Sequence, residues 1–242
     1  MFDTFSISRE ENEFVLEAEK YGEYFLLSND IMYFQHRFIY EISKEATVFN
    51  SFFSQLQKSW HLAYLSILRK HDVQAKLMMR FSLETATLAL YSMYHRDLNL
   101  YQTTNEDGTM QGLHALPKAY KWLEKTNPEL SGIIKRHKDN INSDAAHGGI
   151  IHSYSIVDHT DVGFETSFFD DENEEYTCFK LYWISDLCLG IIHEINEKNK
   201  ELDILRTVKD GDEVIHNFFV RLKELHEDIW KGGTIKRILK AL

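Results

Sequence analysis

The stretch from Asp72 to His95, DVQAKLMMRFSLETATLALYSMYH, decides the fold. It contains no glycine and no proline, so no residue in it interrupts a helix. Its first residue, Asp72, is an acceptable N-cap. One side of the predicted helix carries Val73, Leu77, Phe81 and Leu88, and another carries Met79, Leu83, Ala86, Leu90 and Tyr94. Apolar residues on nearly all sides are typical of a helix in the centre of a bundle.

Helical periodicity also precedes this stretch. Glycine and proline are absent from Asp30 to His95, and apolar residues recur at steps of three, four and seven before Asp72. They are Ile31, Phe34, Phe38, Ile42, Phe49, Phe53, Leu56, Trp60, Ala63 and Ile67. We therefore predict one long helix before Asp72, which could bend or break at Asn50-Ser51, although neither residue forces a break.

Further helices follow a predicted loop over residues 97–112, in which Asn105–Gly108 is the turn. Two short helices are expected at about 114–126 and 129–147, the second beginning at Asn127-Pro128. Gly148-Gly149 ends it. Long helices are expected at about 174–205 and 212–230. Their apolar stripes are Leu181, Ile184, Cys188, Ile191 and Ile195, and Ile215, Phe218, Leu222, Leu225 and Ile229.

Between these helices the period changes to a loose alternation. Residues 150–157 and 162–169 read as two strands around the turn 158–161, so residues 150–169 form a β-hairpin insertion. The fold class is therefore mainly α, a bundle of five to seven helices with a small hairpin. We expect residues 1–242 to form a single helical domain.

Composition and charge limit the classes of function. The N-terminus is not a secretory signal, and no apolar run is long enough to span a membrane, so the expected location is cytoplasmic. Cys178 and Cys188, about 15 Å apart on one helix, cannot form a disulfide and are interpreted as buried apolar residues.

The net charge of −11 disfavours a broad electrostatic contact with RNA. Residues 118–138 nevertheless hold six Lys or Arg against two Glu, either a basic patch or a solvated face.

A polar stripe interrupts the apolar helix at Arg80, Glu84, Thr87 and Tyr91. Arg80 and Glu84 stand at positions i and i+4, so they can form an ion pair along the helix. A buried charge requires a partner and hydrogen bonds. The pair is either a structural contact that fixes helix packing or the floor of a polar pocket.

The segment from Arg136 to Gly149 holds the second group of candidate residues. Arg136, Asn140, Ser143 and His147 fall on one helical face, beside the apolar stripe Ile133, Ile134, His137 and Ile141. His147 lies at a helix C-terminus, where the dipole favours its protonated form. It can cap the helix, form a hydrogen bond in the core, or act as an acid–base group.

These motifs resemble the HEPN superfamily of helical domains, and in particular its bacterial branches. The resemblance covers about residues 60–200. It is carried by the R-x-x-x-E pattern of Arg80 and Glu84, followed some sixty residues later by a helix that ends N-S-D-A-A-H-G-G at 142–149. It implies a helical bundle, often a homodimer, and in some members a metal-independent ribonuclease of toxin–antitoxin or antiphage systems.

In active members of that superfamily an arginine and a histidine, four to six residues apart, meet across the dimer interface. His147 matches the histidine, but residues 140–142 are Asn, Ile and Asn. The nearest arginine, Arg136, is about 16 Å away along the helix, so it could reach His147 only from a second subunit. His147 and Arg136 are the candidate catalytic pair of an endoribonuclease.

A metal site is a more remote possibility. His152 and His159, with Asp158 and Asp161, could hold a metal if the hairpin brings them together. No catalytic triad, phosphate-binding loop or zinc motif occurs, so no cofactor is expected.

The sequence favours a non-catalytic interaction or regulatory module that forms a homodimer and can bind a protein partner. In that hypothesis Arg80, Glu84, Asn140, Ser143 and Asp144 form an internal polar network with His147. The alternative is the ribonuclease, and a metal-dependent hydrolase is third.

Overall fold

The computed structural model describes residues 4–144, 157–160, 163–166, 168–170 and 173–231. Eight α-helices occur in these ranges: α1 Thr4–Leu16, α2 Gly22–Arg37, α3 Thr47–Leu68, α4 Asp72–Tyr94, α5 Leu116–Thr126, α6 Pro128–Asp144, α7 Glu174–Leu202 and α8 Gly211–Lys231. The strands are β1 Ile39–Ile42, β2 Gln102–Thr104, β3 Met110–Gly112, β4 Val157–Thr160, β5 Gly163–Thr166 and β6 Leu205–Thr207. The mainly α fold class is confirmed. The helix count exceeds five to seven because α1 was not predicted and the predicted long helix is divided in two.

Helices α3 and α4 form an αα-hairpin and pack along most of their length. Lys70 adopts a left-handed conformation in the link, with φ of 58°, and the N–H of His71 donates to the carbonyl of Ser66 at 2.9 Å. Ser82 Oγ donates to Ser59 Oγ at 2.9 Å inside the contact. The predicted extent of α4 is confirmed to within one residue.

Helix α4 is not buried on all sides as predicted. Its faces towards α3, α5, α6 and α7 are covered, but Leu77 and Phe81 keep 37% and 39% of their surface exposed. Together with the exposed Gln74 they form a stripe at positions i, i+3 and i+7. We call Gln74, Leu77 and Phe81 the α4 stripe.

The predicted single helix before Asp72 is wrong. The helix breaks at residues 38–46 rather than at Asn50-Ser51, which lies inside the continuous helix α3. Phe38 is fully buried, and its carbonyl accepts a hydrogen bond from the N–H of Val208 at 3.0 Å. β1 then pairs antiparallel with β6, about 165 residues later in the chain. A partner so distant leaves no trace in the local periodicity.

Asn199 fixes β6 against the end of α7. Its side-chain oxygen accepts hydrogen bonds from the N–H groups of Ile204 and Leu205 at 3.0 and 2.8 Å, and its amide donates to the carbonyl of Leu205 at 2.9 Å. Asp203 follows α7 in the left-handed region, with φ of 48°, and turns the chain. The predicted end of this helix at 205 is therefore three residues too late.

Two further hairpins differ in detail from the prediction. The expected loop 97–112 contains the β2–β3 hairpin, and its turn at Asn105–Gly108 is confirmed. β4 pairs with β5, which confirms a hairpin there, but Thr160 pairs with Gly163. The expected turn residues 158–160 are therefore strand residues, and residues 150–156 of the predicted first strand lie outside the described part of the chain.

Helix α7 packs against α2, α3, α4 and α8. Its predicted stripe is buried, and the core cluster draws residues from every helix between α2 and α8. In the predicted stripe of α8 only Phe218 is half-buried, and the other four residues are buried. Within the described ranges no helix has the length and apolarity that a membrane span requires.

We predict that Asn199→Ala lowers the free energy of unfolding by about 3 kcal/mol, because it leaves two buried backbone N–H groups without acceptors. Urea denaturation at neutral pH measures the effect as a lower transition midpoint at unchanged slope. Asn217→Ala, at an exposed position of α8, is the matched control and should differ from the wild type by less than about 0.5 kcal/mol. An Asn199→Ala variant as stable as that control would refute the role of this side chain.

Candidate functional site

Arg80 and Glu84 lie where the sequence predicts them, on one half-buried face of α4. Arg80 Nε is 3.6 Å from Glu84 Oε1, and Lys138 of α6 approaches the same oxygen at 3.0 Å. Lys138 also donates a hydrogen bond to the hydroxyl of Tyr120 on α5, and its ammonium lies 4.4 Å from the centre of that ring. These four residues, which we call the α4–α6 clamp, join three helices.

The clamp keeps Lys138 charged. Burial alone would lower the pKa of Lys138, but the hydrogen bonds to Tyr120 and Glu84 raise it above its ordinary value. Burial raises the pKa of Tyr120, whose hydroxyl therefore stays protonated at neutral pH. The sequence missed Lys138 and Tyr120, since they are 54 and 36 residues from Glu84 and no local spacing connects them.

The exposed face of α6 carries three of the other predicted residues. Arg136, Asn140 and Ser143 are all exposed, on the side of the helix opposite the buried Ile134 and Ile141. Ser143 Oγ donates to the carbonyl of Asn140 at 2.8 Å. Asn140 and Ser143 therefore face solvent and do not join Arg80 and Glu84 in an internal network, which corrects that part of the prediction.

Two further predicted residues, His147 and Asp144, have no described side chain. His147 lies outside the described residues, and its predicted pairing with Arg136 therefore stays a prediction. Asp144 is the last residue of α6, and only its backbone position is described.

His137 of α6 lies against helix α7. Trp183 Nε1 of α7 donates to His137 Nδ1 at 2.9 Å, and the two rings are 5.7 Å apart. Burial, and secondarily the charge of Arg136, lowers the pKa of His137. A neutral imidazole that accepts from an indole fixes α6 against α7.

Basic side chains cover the outer faces of α5 and α6. Five cations are exposed there and form no ion pair with the described residues: Lys118, Lys121, Lys125, Lys135 and Arg136. The three lysines of α5 recur at i, i+3 and i+7, so they share one helical face. The exposed acids on these helices are Glu124, Glu129 and Asp139. The excess positive charge of residues 118–138 therefore lies mainly on side chains that face solvent.

A buried charge cluster occupies the start of α4. The carboxylate of Asp72 lies 2.6 Å from Lys76 Nζ and 3.3 Å from Lys180 Nζ of α7, with the three side chains at most 8% exposed. The ring of Tyr176 packs against both ammonium groups, with its centre 5.7 Å from Lys76 Nζ and 4.9 Å from Lys180 Nζ. The spacing of Asp72 and Lys76, i and i+4, could have indicated this pair, whereas Lys180 is 108 residues away.

Asp72 is the first residue of α4 rather than its N-cap. Its N–H donates to the carboxylate of Asp170 at 2.6 Å, and the N–H of Asp170 donates to the carbonyl of Lys70 at 3.0 Å. Residues 168–170 thus close the end of the α3–α4 hairpin. His71, in the same link, donates a hydrogen bond from Nε2 to Glu11 Oε1 of α1 at 2.9 Å and stacks on Phe169.

The two lysines keep Asp72 ionised. Burial on its own would raise the pKa of this carboxyl, but the adjacent charges of Lys180 and Lys76 lower it below its ordinary value. A buried carboxylate between two ammonium groups is costly to desolvate and is tolerated only while all partners are present.

Metal and thiol chemistry receive no support from the described residues. No group of three or more His, Cys, Asp or Glu side chains in them could hold a metal ion. In the predicted metal cluster, His152 and Asp161 lie outside those residues, and for Asp158 and His159 only the backbone of β4 is described. Burial raises the pKa of the half-buried Cys178 to about 11 and that of the buried Cys188 well above its ordinary value.

Comparison of the chain with protein-family models, curated proteins and solved structures finds no significant match. The resemblance to the HEPN superfamily therefore stays a prediction from the sequence.

We predict that Asp72→Asn lowers the free energy of unfolding at pH 7 by about 3 to 5 kcal/mol, because two ammonium groups remain buried without their shared carboxylate. The folded-state pKa of Asp72 lies below its ordinary value of 3.8. The stabilisation is thus present above about pH 4 and is lost as the pH falls through the folded-state pKa.

Chemical denaturation of both proteins at a series of pH values measures this difference, which should shrink towards acid pH. Asp139→Asn, at an exposed position of α6, should cost less than about 0.5 kcal/mol. A difference that stays constant between pH 7 and pH 2 would show that the charge of Asp72 is not what stabilises the cluster.

Proposed function

We propose that the protein is a non-catalytic helical interaction or regulatory module that acts as a homodimer, with a HEPN-like arrangement of helices. The observation that carries the proposal is the α4 stripe. Leu77 and Phe81 are exposed on successive turns of a helix that is otherwise covered by four neighbours. Large apolar side chains grouped in this way are typical of protein–protein contacts.

The clamp supports a structural role for the polar residues beside the stripe. Glu84 contacts both Arg80 and Lys138, and Lys138 also donates to Tyr120. These groups are held by one another, which links α4 to α5 and α6. The clamp makes α4 a rigid support, and rigid supports lower the entropy cost of association.

A second copy of the chain is the partner that best fits the stripe. In a two-fold contact the same patch meets itself, so it must be complementary to itself. The stripe has apolar residues at its centre, and the adjacent Arg80 and Glu84, 36% and 25% exposed, supply both signs of charge. Such a surface can form reciprocal ion pairs around an apolar centre.

We predict that the wild type sediments as a dimer at micromolar concentration and that Phe81→Glu sediments as a monomer with an unchanged helical circular dichroism spectrum. A charge in an apolar contact loses its hydration without gaining a partner. Analytical ultracentrifugation measures the shift.

The matched control is Val220→Glu, since Val220 is 45% exposed on α8. This variant should remain a dimer. A monomeric wild type would refute the dimer, whereas dissociation by Val220→Glu alone would place the interface on α8 and contradict the role of the stripe.

RNA binding is the second candidate function, and one observation favours it. The five exposed, unpaired cations of α5 and α6 form a local positive surface on an acidic protein, and such surfaces attract phosphate backbones. If this surface served a ribonuclease, His147 would be its acid–base group and Arg136 its basic partner from the second subunit.

The two candidates differ in metal-free cleavage of total cellular RNA. The interaction module predicts no cleavage by the wild type, by His147→Ala or by Arg136→Ala. Cleavage by the wild type that both variants lose, with their helical spectra intact, would replace our proposal with the ribonuclease. Cleavage that persists in both variants would indicate a contaminating nuclease.

A further inference from the structure

A groove of about 240 Å³ lies between α2 and α8, lined by Asp30, Tyr33, Phe34, Arg37 and Phe218. We call it the α2–α8 groove. It belongs to neither the clamp nor the α4 stripe, and it does not depend on the proposed dimer. Its size is below the range of about 300 to 1,000 Å³ that is typical of pockets for drug-sized ligands. It has room for about one aromatic side chain.

The floor of the groove is aromatic. Phe34 and Phe218 meet edge to face, with ring centres 5.4 Å apart and an angle of 69° between the rings. Phe34 is 9% exposed, and Phe218 is half-buried. The ring of Tyr33, 60% exposed, stands beside them. A third ring bound here would bury apolar surface and adopt similar edge-to-face contacts.

The charges at the two ends of the groove differ. Asp30 is paired with Arg221 at 2.8 Å, and Arg221 also reaches Glu23 at 3.5 Å, so at that end two carboxylates share one guanidinium. Arg37 at the other end donates to the hydroxyl of Tyr33, with its guanidinium 5.2 Å from the centre of that ring. Among the described side chains Arg37 has no carboxylate partner. A guanidinium carries five N–H donors, and a neutral phenol occupies only part of them.

We propose that the α2–α8 groove binds a peptide segment of a partner protein in which an aromatic residue is followed by an acidic one. The aromatic ring lies on Phe34 and Phe218, and the carboxylate binds the guanidinium of Arg37. The charge of Arg37 selects an acidic neighbour, and the small volume admits one ring while the rest of the ligand stays outside. A peptide satisfies both conditions, because its chain continues along the surface beyond the groove.

The probe is the peptide acetyl-Ala-Phe-Asp-Ala-amide, titrated into the full chain and followed by 15N-resolved NMR. We expect saturable shifts in residues 30–37 and 214–221. The peptide with Lys in place of Asp should bind about tenfold more weakly, because it lacks the charge-assisted hydrogen bond. The peptide with Ala in place of Phe should cause no saturable shift.

Variants separate the two contacts. Arg37→Gln should weaken the acidic peptide about tenfold and remove its preference over the lysine peptide. Tyr33→Ala, at an exposed position that leaves the core intact, should weaken both peptides. Arg9→Gln is the matched control, since Arg9 is exposed on α1 and pairs with Glu13 on the same helix, and it should bind like the wild type.

Three results would overturn the proposal. They are shifts that do not map to the groove, equal affinity for the acidic and lysine peptides, and full binding by Arg37→Gln. Phenylacetate is the final competitor. If it binds more tightly than the peptide, the groove is a site for a small aromatic acid and the assignment to a partner protein fails.

Discussion

Asp72 joins helix α4 to helix α7 and to the segment 168–170. Its side chain binds Lys76 on its own helix and Lys180 on α7, and its backbone N–H binds Asp170. One buried residue therefore sets the position of α4 relative to α7 and closes the α3–α4 hairpin. Apolar side chains in the same place would pack without a desolvation cost. They would fix the register of α4 against α7 less sharply, because dispersion contacts have little directionality.

The positions of the outer helices α5 and α6 depend on those of α4 and α7. Once α4 and α7 are set, α6 contacts both of them through polar side chains, with Lys138 on Glu84 and Trp183 on His137. Lys138 also holds α5 through Tyr120. The buried side of α6 is thereby defined, and its remaining positions, including Arg136, must face solvent. The exposed cations of α5 and α6 are a consequence of how the inner face is bound.

Local patterns in the sequence predicted what depends on neighbours along the chain. The extent of α4, the start of α6 at Pro128 and the pairing of Arg80 with Glu84 were all found, because each rests on residues within one or two turns. The break at residues 38–46 was missed, since it depends on pairing with β6. For the same reason Lys138 and Lys180 were missed as partners of Glu84 and Asp72. The exposure of Leu77 and Phe81 depends on which neighbours cover α4, and periodicity does not contain that information.

Several polar side chains of the described residues are already committed to contacts within the protein. The carboxylate of Asp72 lies between two ammonium groups that lower its pKa, and a carboxylate so stabilised is a weak base. His137 is neutral and already bonded to Trp183, so its Nδ1 does not serve a substrate. The described surface also presents a guanidinium beside an aromatic groove, an apolar stripe and a row of cations. These three surfaces differ in chemistry, which supports the interaction module that we propose.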